Sequence, residues 1–129
     1  MMRDMKNEIV ARVAVAPEVL TGNRTGAMID LIDANRMAFV VTTGDIAGAG
    51  DFSVKVQESD TTTAGDFTDA PAEHVLTDAP DTLAANAAYR VSYIGCKRHV
   101  RLIVTKASGT SIAVSAVAVL GDLAERPAD

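Results

Sequence analysis

"AYRVSYIGCKRHVRLIVTKASGTSIAVSAVAVL", residues 88–120, decides the fold. Tyr89, Val91 and Tyr93 alternate with Arg90 and Ser92, and further on Val100, Leu102 and Val104 alternate with His99, Arg101 and Ile103. A period of two puts successive side chains on opposite faces of an extended chain, so both stretches read as strands. The last stretch, 111–120, differs. Ile112, Val114, Ala116 and Ala118 share one face, and Ala113, Ser115, Val117 and Val119 share the other. Such a strand is expected to be covered on both sides. The intervening "YIGCKR" and "KASGTS" have the length of hairpin connections, so 88–120 reads as a three-stranded antiparallel meander.

The same signals recur upstream. "DFSVKVQES" at 51–59 sets Phe52, Val54 and Val56 against Ser53, Lys55 and Gln57, and "RMAFVVTT" at 36–43 is rich in β-branched residues. "AMIDLIDANR" at 27–36 fits either a helical turn or a short strand and turn. Between these runs stand clusters of Gly, Asp, Ser and Pro: "TGNRTG", "TGDIAGAGD", "SDTTTAGD", "TDAPDT". Short apolar runs cut by turn residues define an all-β chain, a single-domain antiparallel β-sandwich or barrel. Residues 13–120 make up that domain. Residues 1–12, charged and without a strand boundary, read as an extended N-terminal arm that orders on a partner, and 121–129 as a solvated C-terminal tail.

Composition narrows the function classes. The chain has 129 residues, enough for one core, and is 48% apolar but only 4% aromatic with no Trp. Its core must therefore be built from Val, Ala, Leu and Ile. A formal net charge of −5 opposes nucleic-acid binding, which needs a basic face. The single cysteine, Cys96, cannot form an internal disulfide. "MMRDMKNEIVARVAVAP" lacks the apolar core of a signal peptide, and the longest apolar run, within 112–120, is too short to cross a bilayer. Neither nucleic acid nor membrane is an expected partner.

Candidate chemistry is sparse. "GDIAGAGD" offers Gly48 and Gly50, but Ser53 stands where a dinucleotide fingerprint needs its third glycine and a strand follows instead of a helix, so it reads as a hairpin loop. His74, His99 and Cys96 lack metal-ligand spacing, and Cys96 with His99 lacks an orienting third group. Residues 56–89 carry Glu58, Asp60, Asp66, Asp69, Glu73, Asp78 and Asp81 without a Lys or Arg, and read as a solvated acidic loop. No catalytic residue, metal or cofactor is expected. The basic cluster Lys97, Arg98, Arg101 and Lys106 either is paired within the fold or docks on an acidic protein surface. Arg98, near a turn, is expected to pair with a carboxylate of a neighbouring chain, and Arg101 to serve the fold or a subunit contact.

"TGAMIDLID" (25–33), "FVVTTGDI" (39–46), "FSVKVQESD" (52–60), "GDFTD" (65–69) and above all "YRVSYIGCKRHVR" (89–101) resemble a family of small virion structural proteins of tailed bacteriophages. The likeness spans about 21–120, with Met28 standing before Ile29-Asp30 and His99 standing where an aromatic is usual. It implies a β-sandwich that decorates or cements the outer capsid surface by binding the major capsid protein, as a homo-oligomer and often a trimer. Lys97, Arg98 and Arg101 match the family's basic motif and become the candidate protein-interaction residues. The alternatives are a neck or tail component, such as a head–tail connector or tail-terminator-like subunit, and a small β-sandwich enzyme or carbohydrate-binding module.

Overall fold

A computed structural model describes residues 4–32 and 34–123. Ten strands carry the fold: β1 (Val10–Leu20), β2 (Arg24–Thr25), β3 (Ile29–Asp30), β4 (Ala34–Ala47), β5 (Asp51–Ser59), β6 (Thr68–Asp69), β7 (Val75–Thr77), β8 (Ala88–Tyr93), β9 (His99–Ser108) and β10 (Ser111–Leu123). One antiparallel sheet has the order β1-β10-β4-β8-β7; the other runs β2-β9-β5-β6, with β3 also on β9. The two sheets pack together as a sandwich and do not close into a barrel.

The pairings show how one chain makes both layers. β4 runs against β10 and β5 against β9, and the register passes from one sheet to the other almost unbroken. Ala47 stands opposite Ser111 on one side of the corner, and Asp51 opposite Ser108 on the other. Along the other flank β1 follows β10 from Val10–Leu120 to Leu20–Ile112, and β2 and β3 continue against β9 at Arg24–Val104 and Ile29–Val100. The sandwich is thus a three-armed antiparallel band, its middle arm 99–123, folded over on itself. The crease needs left-handed backbone. Gly48 and Ala49 have φ of 59° and 55°, with the Gly50 amide donating to the Ala47 carbonyl at 3.2 Å, and Gly109 in the facing turn has φ of 83°. A Cβ on Gly109 would lie 2.4 Å from the Ala49 carbonyl oxygen, so the two turns meet with no room for a side chain.

This topology corrects the expected meander. The three strands lie where alternation puts them, but β8 and β10 belong to one sheet and β9 to the other, and none of the three pairs with another. Both connections are arches that carry the chain from layer to layer. The hairpin loop expected at "GDIAGAGD" is corrected in the same way: the turn is tight, but it joins β4 and β5, which lie in different sheets. A short loop has the same length in a hairpin and in an arch; what separates them is a partner strand distant in sequence.

Inward faces follow the alternation closely. Met37, Phe39 and Val41 of β4, Phe52 and Val56 of β5, Val91 and Tyr93 of β8, Val100, Leu102 and Val104 of β9, and Ile112, Val114, Ala116 and Ala118 of β10 are all buried. Among the described residues the opposite face of β10 is only partly covered: Ala113, Ser115 and Val119 are half-buried and Val117 is exposed. β1 begins at Val10 and buries Val10, Ala14 and Val15, so the end of the expected arm is strand, packed rather than free. β10 likewise extends through Leu123, which pairs with Ala34; residues 124–129 of the expected tail lie outside the described residues. Segment 27–36 resolves as strand and turn. The Asp30 side chain accepts from the Ile32 amide, and the Ala34 amide donates to the Leu31 carbonyl.

Candidate interaction site

The acidic segment 56–89 is not a free loop. Phe67 and Leu83 are buried, and the Leu83 amide donates to the Phe52 carbonyl, tying the segment to the core. Glu58 continues the inward face of Phe52 and Val56 and is itself buried. A buried carboxylate must be satisfied. The Tyr93 hydroxyl donates to Glu58 Oε1 at 2.7 Å and accepts from the Lys97 amide at 3.1 Å. Burial, reinforced by the Glu58 carboxylate, pushes the Tyr93 phenol well above its ordinary value, so it stays protonated and can donate. Gly95 lies flat against this ring; a Cβ there would sit 2.4 Å from the hydroxyl. His74 approaches the same carboxylate, its Nδ1 3.9 Å from Glu58 Oε1, buried and without a hydrogen-bond partner among the described residues.

Around this pair the basic cluster finds its partners. Arg98 forms a bidentate pair with Asp30 of β3, Nε to Oδ1 and Nη2 to Oδ2, both at 3.0 Å. The Arg98 guanidinium holds the Asp30 carboxyl below its usual range. Lys97 Nζ reaches Asp60 Oδ2 at 2.9 Å, and that bond raises the Lys97 ammonium. Arg101 Nε donates to Gln57 Oε1 at 2.9 Å, and its guanidinium sits 4.3 Å from the centroid of the Phe67 ring. The Gln57 amide in turn donates to Asp69 Oδ1 at 3.0 Å, and Lys55 pairs with the same carboxylate. Hydrogen bonds from Gln57 and Lys55 lower the Asp69 carboxyl. A polar ladder therefore crosses β9, β5 and β6 on the outer face of the second sheet.

All three predicted interaction residues are engaged inside the chain. Arg101 serves the fold, as one of its two expected roles. Within the chain the carboxylate opposite Arg98 is Asp30. The reason is register: β3 lies beside β9 with Asp30 opposite His99, which brings the carboxylate to the Arg98 turn. Sequence reasoning missed Glu58 and Tyr93 as a buried pair. The signal was present in the alternation, which carries Phe52 and Val56 on to Glu58 and Val91 on to Tyr93.

Lys97 and Arg98 also rim an open groove of about 730 Å³ between the β3–β4 turn and the β8–β9 arch. Ile32 and Ile94 stand exposed in its walls, with Leu31 and Met37 beneath and Arg36 and the exposed Cys96 at its edges. His99 is buried, between Asp30 and Ser59 in register. Among the described residues no group of three or more His, Cys, Asp or Glu is placed to hold a metal. No family model, curated protein or solved structure matches the chain.

Proposed function

We propose that this protein is a structural component of a tailed-bacteriophage virion, a non-enzymatic subunit that decorates or cements the outer capsid surface by binding the major capsid protein. One observation carries the reading. Three of the five stretches that carry the family resemblance contribute Ile29-Asp30, Val56 to Asp60, and Tyr89 to Arg101, which are far apart in sequence yet bond one another in the fold. Asp30 pairs with Arg98, Gln57 with Arg101, Glu58 with Tyr93, and Asp60 with Lys97. Motifs that satisfy one another are what a structural family would share, since their function is to hold a shape.

The groove beside this network supplies the contact. Its described lining holds Arg36 beside the exposed Ile32 and Ile94, while Lys97 and Arg98 at its rim already pair with Asp60 and Asp30. That chemistry fits an apolar segment of coat protein. Ile94 is the anchor and the basic side chains form the rim. Capsids stripped of the protein and re-decorated with purified material provide the test. Wild-type protein binds at many copies per shell, and Ile94→Asp, still folded by circular dichroism, loses most of its occupancy. Absence from purified virions, or location only at the neck, would refute the capsid assignment.

A further inference from the structure

One segment supplies an outermost strand to both sheets. Residues 60–83 leave the end of β5, place β6 on the edge of the second sheet, and then place β7 on the edge of the first. Both strands are short, two and three residues long. Beyond them the strap reaches the rest of the fold by three backbone bonds. The Ala70 amide donates to the Val56 carbonyl at 2.9 Å, the Asp78 amide to the Arg90 carbonyl at 3.2 Å, and the Leu83 amide to the Phe52 carbonyl at 2.9 Å. Phe67 and Leu83 are its buried anchors.

Charge divides between strap and body. The strap carries Asp60, Asp66, Asp69, Glu73, Asp78 and Asp81 and has no Lys or Arg. Among the described residues, the Lys and Arg side chains that pair with it stand on the body. Lys55 of β5 meets Asp69 at 3.2 Å, Arg90 of β8 meets Asp78 at 3.0 Å, and Lys97 of the β8–β9 arch meets Asp60 at 2.9 Å. The Arg90 amide also donates to Asp78 Oδ1 at 2.8 Å, which holds the Asp78 carboxyl below its usual range. These contacts are spread along the strap. Its own like charges repel one another, so the cations of the body are what offset that repulsion.

We propose that residues 60–83 form a charge-latched clasp, a unit that opens as a whole while the other strands stay paired. Its release bares the outer edges of β5 and β8 together and frees Lys97 at the rim of the groove. Short edge strands with few backbone bonds are the part of a sandwich that opens ahead of the rest. Opening stays rare because Phe67 and Leu83 must leave the core. Exposed ion pairs are individually weak, but three that break in one event act together and shift the opening equilibrium by about tenfold.

The test uses isolated protein, so it stands apart from the virion reading. Native-state amide hydrogen exchange by NMR compares the Ala70, Asp78 and Leu83 amides with those of Ala116 and Ala118 on the central strand β10. In the wild type the three strap amides report one common opening, at least about tenfold more frequent than the opening that exposes β10. Replacing Lys55, Arg90 and Lys97 together with Met speeds strap exchange about tenfold. Arg24→Gln, which breaks a pair with Glu18 of β1, leaves it within about twofold. Val15→Ala, in the buried face of β1, speeds Ala116 and Ala118 and leaves the strap unchanged. If the triple variant fails to fold, sodium chloride at about 1 M screens the same pairs in the wild type and speeds strap exchange. Strap amides that open to different extents, or no more often than β10, overturn the proposal. So does a strap indifferent to both the triple variant and salt, or one that Val15→Ala speeds as much as β10.

Discussion

Replacing Tyr93 with Phe removes one oxygen and leaves the ring in place. Tyr93 is 4% exposed and its partner Glu58 is 8% exposed, so solvent cannot readily replace the lost group. Two bonds disappear together: the 2.7 Å bond to a buried carboxylate and the 3.1 Å bond accepted from the Lys97 amide. A hydrogen bond to a charged group contributes about 1.5–3 kcal/mol, and an orphaned buried donor costs about 1–3 kcal/mol. Half of the Lys97 term is discounted because the Lys97 side chain is only partly buried and its amide can recruit water. The expected loss is therefore about 2–4 kcal/mol, a large share of the stability of a domain this size. Urea denaturation followed by far-ultraviolet circular dichroism measures it. Adding Glu58→Gln closes a double-mutant cycle, in which the coupling between the two sites should reach about 1.5 kcal/mol or more. A Tyr93→Phe loss below about 0.5 kcal/mol, or a coupling near zero, would show that the carboxylate is solvated and the network argument wrong.

Other perturbations separate the surface pairs from the crease. Asp30 has a carboxyl pKa lowered in the folded chain, so its pairing with Arg98 stabilises above the unfolded carboxyl value and is lost as pH falls through the depressed folded value. Both side chains are about half exposed, so solvent screening limits Arg98→Met to a loss of about 0.5–1 kcal/mol at neutral pH, which fades in urea titrations as pH falls through the depressed Asp30 carboxyl value. Gly109→Ala forces a side chain into left-handed backbone and against the Ala49 carbonyl; it should cost at least about 2 kcal/mol in the same assay, and a neutral result would mean the two turns do not touch.

Local chemistry alone determined the strands and their inward faces. The alternation of Val91 and Tyr93, of Val100, Leu102 and Val104, and of Phe52 and Val56 states which side chains are buried, because an extended chain has a period of two whatever it pairs with. The turn at Gly48 is equally local, since glycine readily accepts the positive φ found there. Pairing was decided elsewhere. Whether 94–98 and 109–110 close hairpins or arch between layers depends on β4 and β5 competing for the same strand edges, and loop length is blind to that competition. The partners of the basic cluster were hidden for the same reason. Arg98 and Asp30 are 68 positions apart, Tyr93 and Glu58 are 35 apart, and Arg101 and Gln57 are 44 apart. Only the folded band brings them within bonding distance. A carboxylate in an acidic stretch is ordinarily solvated; Glu58 became a buried acceptor because packing of the two sheets carried the Tyr93 hydroxyl to it from the other layer.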